Sequence, residues 1–242
     1  MKRIAALILV AQMLCCSVAH AQGLILTGMT QTCQIREGEV LLATRQASYP
    51  LVEGLTDTDV QERLNKGIRD GLEAGGGFQV AIDYALEDYR QDPARFAITQ
   101  YGQDATAQVV FQGKKLLCVS YQFITYTGGA HPWPSSLSLV MNLQTGEVVP
   151  LTALFREDSA ARDLVTDEVL RQLGDQEYFL AEDYGEGGSL WSWDKALLTP
   201  DGLRIVFDPG EWGPYAAGTL EFLVEYDLLA GEWGDMGGPE SW

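Results

Sequence analysis

The run Leu116–Tyr126 constrains the fold more than any other segment. Leu117, Val119, Tyr121 and Phe123 fall on one side of an extended chain, and Leu116, Cys118 and Ile124 on the other. A strand that is apolar on both faces must be covered on both, which places it inside a sheet. The run feeds directly into Tyr126-Thr127-Gly128-Gly129-Ala130-His131-Pro132. Two glycines permit unusual backbone angles or close approach, and Pro132 holds His131 extended. Such a segment is a shaped loop.

The flanking sequence fills in the elements. Gly38 to Tyr49 reads as a strand leading into Pro50. Thr56, Asp57 or Thr58 caps a helix in which Val60, Leu64, Ile68 and Leu72 recur every fourth residue. Gly75-Gly76-Gly77 ends it. Ala107 to Phe111 is a short strand, and Leu137 to Leu143 and Glu147 to Leu151 flank the turn Gln144-Thr145-Gly146. Ala161, Val165, Val169 and Leu173 mark a second helix. Leu203 to Phe207 and Thr219 to Tyr226 alternate as strands. The expected class is α+β, a largely antiparallel sheet with two main helices packed on it.

Residues 1–21 read as an export leader. Lys2 and Arg3 precede an apolar run from Ile4 to Leu14, and Ala19-His20-Ala21 fits a small-residue cleavage site. No later apolar run is long enough for a membrane span. The expected mature chain is one compact module, 22–242. Residues 22–105 form its N-terminal part, 106–230 its main β part, and 231–242 an acidic tail rich in Trp and Gly. Loss of Lys2 and Arg3 leaves 14 basic against 34 acidic residues, a net charge of −20. Like charge disfavours nucleic acid and anionic membranes, while a cationic partner is favoured. Cys33 and Cys118 are the two cysteines of the mature chain, and in an oxidising compartment an even pair predicts a disulfide.

Chemistry has few footholds. His131 as a general base needs an oriented nucleophile, and Ser135 and Ser136 are near, but no nucleophile elbow of the G-x-S-x-G kind occurs. His131 as a metal ligand would draw on Asp183, Glu186 and Asp194 around the stretch Glu182–Gly188, whose spacing does not fit a calcium loop. No metal and no cofactor are expected, and a non-enzymatic role is. Six tryptophans are present, Trp133, Trp191, Trp193, Trp212, Trp233 and Trp242; Trp191 and Trp193, with Trp133, are candidate stacking platforms for sugar rings. Trp133, beside the loop, is the one expected to be exposed.

Three ordered motifs carry a resemblance. The first is Tyr49-Pro50 followed by Thr56 to Leu72 with Asn65-Lys66. The second is Ser120-Tyr121 through Gly128-Gly129-Ala130-His131-Pro132 to Asn142-Leu143-Gln144-Thr145-Gly146. The third is Leu198-Thr199-Pro200-Asp201-Gly202-Leu203 with Pro214-Tyr215-Ala216-Ala217-Gly218 and Val224-Glu225-Tyr226. Together they resemble the extracytoplasmic DUF3298 domain and its N-terminal companion, found in RsiV-type anti-sigma factors and beside some peptidoglycan deacetylases. The resemblance implies an extracytoplasmic α+β module that, in the anti-sigma members, binds lysozyme and covers its cleft. This sequence holds no sigma-binding segment and leaves no room for a deacetylase domain, so the expectation is a stand-alone periplasmic or secreted module. The expected partner is a basic lysozyme-like protein or peptidoglycan. The expected binding residues are Gly128, Gly129, His131 and Trp133, supported by Trp212 and Tyr215.

Overall fold

The computed structural model describes residues 6–19, 24–97, 101–174 and 191–242. The strands in chain order are β1 (Ala6–Ala19), β2 (Ile25–Glu37), β3 (Val40–Glu53), β4 (Tyr101–Gln112), β5 (Leu116–Tyr126), β6 (Trp133–Asn142), β7 (Val148–Val149), β8 (Ala196–Thr199), β9 (Gly202–Phe207) and β10 (Leu220–Val224). The helices are α1 (Thr58–Ala74), α2 (Gly77–Gln91) and α3 (Ala161–Gly174). One sheet has the order β1-β2-β3-β4-β5-β6-β7, and a second has the order β10-β9-β8. The fold is α+β, as the sequence predicts. The first sheet is mixed, however, because β3 and β4 run parallel from Ala43↔Tyr101 to Ser48↔Thr106. Parallel neighbours need a long crossover, and α1 and α2 supply it. By internal contacts the chain divides into two compact units, residues 1–108 with 121–135 and residues 109–120 with 136–242.

In the first unit, α1 starts where Asp57 accepts from the N–H groups of Asp59 and Val60 at 3.0 Å each. It buries Val60, Leu64, Ile68 and Leu72, the predicted stripe. Asn65 clamps the helix to β3: its Oδ1 accepts from Val52 N–H at 2.7 Å and its Nδ2 donates to Val52 C=O at 2.8 Å. Arg45 on β3 closes the other end, donating to the Leu72 carbonyl at 2.8 Å and to both Glu73 carboxylate oxygens at 2.8 and 2.9 Å. A cation at that end satisfies orphan carbonyls and opposes the helix dipole. The glycine triplet is a joint between two helices. A Cβ at Gly75 would fall 2.4 Å from the Phe123 ring, so only glycine lets the chain lie this close to β5. Helix α2 was not expected from sequence. Its only fully buried side chains are the small Ala81 and Ala85, which leave a faint apolar stripe.

The second unit buries α3 through Ala161, Val165, Val169 and Leu173 against β8–β10 and Cys118. The acidic C-terminal segment is part of this core. Trp242 is 2% exposed, its indole N–H donates to Gly237 C=O at 2.7 Å, and its ring meets Trp233 and Tyr226. The expected Cys33–Cys118 disulfide is absent, and both thiols are free. Cys118 is fully enclosed by apolar side chains of the second unit, and Cys33 sits half-buried on β2, opposite Arg45, in the first. An even cysteine count carries no information about which unit each thiol belongs to.

Among the described residues no helix is long and apolar enough to cross a membrane, which says nothing of spans made from strands.

Candidate functional site

The turn from β5 to β6 is built on Tyr101. Gly128 adopts φ +87°, and a Cβ there would fall 2.4 Å from the Tyr101 hydroxyl oxygen. That hydroxyl in turn donates to Asp88 on α2. Tyr126 Oη donates to Gly129 C=O at 2.9 Å, which closes the turn on itself. Beyond this footing the chain is presented to solvent. Gly129, His131 and Trp133 are exposed, Trp133 at 59%. The His131 and Trp133 rings lie 5.3 Å apart at 53°, and His131 Nδ1 is 3.0 Å from Pro132 C=O. The loop is thus rigid at its base and open at its tip.

Trp212 and Tyr215 belong to the second unit. Tyr215 is 42% exposed on a short 3-10 turn, Tyr215–Ala217. Trp212 packs edge-on against Phe207 at 6.1 Å. Trp212 also lines a cleft of about 380 Å³ together with Trp191, Ser192, Asp194, Lys195, Phe207 and Glu211. Lys195 and Glu211 are charged residues of its lining, and Asp208 stands behind them: Lys195 pairs with Asp208, and its Nζ lies 3.5 Å from Glu211. Asp208 also accepts from Ser136 N–H at 3.0 Å and from Ser136 Oγ at 2.8 Å. The hydroxyl considered as a nucleophile is therefore a strut that holds β6 to the end of β9. Sequence reading missed this acid–lysine cluster; its signal was the turn Asp208-Pro209-Gly210-Glu211-Trp212 directly after a strand.

The tryptophan platform does not form as expected. Trp191 is 4% exposed, its indole N–H donates to Thr166 at 3.0 Å, and its ring is covered by Arg162 at 5.1 Å and by Trp193 at 4.5 Å. Trp193 also meets Phe155. These rings are mainly core, and Trp133 belongs to the other unit. Asp183 and Glu186 lie outside the described residues, while Asp194 lines the cleft. Among the described residues no three His, Cys, Asp or Glu side chains converge as metal ligands would.

Residues 39–133 match the family described as Deacetylase PdaC, and residues 152–227 match DUF3298, described as a protein of unknown function. Along the chain the PdaC match is thus followed by the DUF3298 match. The exposed turn closes the PdaC match, whereas Trp212 and Tyr215 lie inside the DUF3298 match. Two crystal structures of DUF3298 family proteins share the fold. One, from Bacteroides fragilis, has a TM-score of 0.62 at 19% identity; the other, from Pseudomonas aeruginosa, has 0.55 at 16%. Each alignment covers 97% of this chain and 96% of the other. No curated protein sequence matches the chain.

Proposed function

We propose that this chain is an exported, non-enzymatic binding module of the cell envelope whose Gly128–Trp133 turn contacts a basic, lysozyme-like muramidase. The observation that carries the reading is the exposure of Trp133 on a turn whose base is fixed by Gly128 and Tyr101. A large aromatic held in solvent by a rigid turn loses little freedom on binding, which is the character of an interface anchor. The pairing of PdaC and DUF3298 domains supports an envelope setting. The strongly acidic chain supports a basic partner, through steering and complementarity. Mixing the purified chain with a panel of basic lysozymes tests the proposal. A complex that protects cell-wall substrate supports it, and no complex with any of them refutes it.

The cleft beside Trp212 favours a second reading, an oligosaccharide laid across Trp212 with Asp194 and Glu211 as polar contacts. That reading requires sedimentation with insoluble cell wall when no lysozyme is present. An enzyme centred on His131 is the competing class, and it requires a wall-modifying activity that His131→Ala abolishes while the fold persists.

A further inference from the structure

In the sheet, β2 lies between β1 and β3, paired antiparallel to each. Strand β1 is the very segment that reads as the apolar run of an export leader. Cleavage after Ala21, the expectation on which this inference rests, removes β1 entirely and leaves β2 as the outer strand. An outer strand presents a row of unpaired N–H and C=O groups to any chain that can align with it. Exported proteins blunt such edges with lysine, proline or bulges. β2 has no proline and no charged residue before Arg36, and it pairs with β3 from Ile25↔Glu53 to Ile35↔Ala43 without a register break.

We propose that the processed chain pairs β2 with β2 of a second copy, antiparallel about a twofold axis at Gln31. The sequence at that point is nearly palindromic in chemistry: Met29-Thr30-Gln31-Thr32-Cys33. Pairing about Gln31 sets Gln31 against itself, each Thr30 against the other copy's Thr32, and each Met29 against the other copy's Cys33. Opposed threonines are a favourable cross-strand pair. Every opposed pair between Thr27 and Ile35 is uncharged, in a chain that otherwise carries a large acidic excess. The neutral strip thus lets two acidic molecules meet where repulsion is least. A twofold, self-complementary contact also closes on itself and does not propagate into fibres. Because the remaining negative charge still opposes approach, the dimer must tighten as salt screens it.

The test uses the chain expressed with its own leader and recovered after export, its N-terminus read by mass spectrometry. Analytical ultracentrifugation at low and high salt is expected to give twice the chain mass, with the dimer fraction rising with salt. Gln31→Lys, which opposes two ammonium groups on the axis, is expected to return the monomer mass while the thermal transition is retained. Gln31→Cys in a Cys33→Ser background is expected to yield a covalent dimer on mild oxidation. A processed chain that is monomeric at both salt concentrations overturns the inference. So does a retained leader, or a dimer that neither Gln31 variant alters. Lysozyme binding by the Gln31→Lys monomer leaves the turn's role standing, so the two proposals fail separately.

Discussion

His131 and Trp133 bracket Pro132 at the tip of the β5–β6 turn, their ring centroids 5.3 Å apart and their planes inclined at 53°. Neither ring is in the core; the turn under them rests on it, through Gly128 against the buried Tyr101. The sequence marks this loop as shaped by its glycines and proline, and in the structure it has a packed base and an exposed tip.

That division predicts opposite outcomes at adjacent glycines. Gly128→Ala must strain a φ of +87° and push into the Tyr101 ring, at a cost of about 1–3 kcal/mol. Gly129→Ala meets no atom within 4 Å and is expected to stay within about 0.5 kcal/mol of the parent. Urea unfolding midpoints of the two variants check this.

The thiol of Cys118 supplies a pH signature. Burial pushes it up to about 12 from 9.0, opposed only weakly by a hydrogen bond to the Leu198 backbone. Above pH 9 the unfolded chain gives up this proton and the folded chain keeps it. Unfolding is then coupled to proton release, so stability falls as pH rises from 9 to 12, by at most about 1.4 kcal/mol per pH unit from this group. Tyr226, raised first by burial, acts in the same direction. Denaturant melts at pH 8, 9 and 10 should show a shallower decline in Cys118→Ala than in the parent.

Asp208 is the hub of the second unit's acid–lysine cluster. Asp208→Ala removes the acceptor of both Ser136 bonds and takes from Lys195 its closest acid, leaving Glu211 at 3.5 Å as its partner. A loss of about 2–3 kcal/mol is expected, mainly from the two lost hydrogen bonds to a carboxylate. Glu211→Gln, at a side chain 41% exposed, should cost under about 1 kcal/mol. Comparable losses in the two variants would contradict the hub role.

What could be read from sequence follows from how strongly each element advertises its burial. β5 and the helices α1 and α3 were legible because large apolar side chains recur at strand or helix spacing. α2 was not, because the side chains it buries fully are alanines. The parallel β3–β4 pairing is a consequence of tertiary crossover, which local periodicity does not encode. At the candidate site, the shaped loop was legible from its glycines and proline. The burial of Trp191 and the Lys195–Asp208–Glu211 cluster were not, since both depend on residues brought together from separate elements: Trp191 packs on α3, and Lys195 on the turn after β9. The disulfide expectation failed for the same reason: cysteine counting sees number and compartment, not position.

The most direct test of the central claim is calorimetric titration of a basic lysozyme into the parent chain and into Trp133→Ala. Trp133 is mostly in solvent, so the substitution is expected to leave the melting temperature nearly unchanged. Loss of a central aromatic anchor is expected to weaken binding by about 30-fold or more, equivalent to about 2 kcal/mol. Equal affinities for parent and variant, or no heat of binding in the parent, would contradict a binding role for the turn.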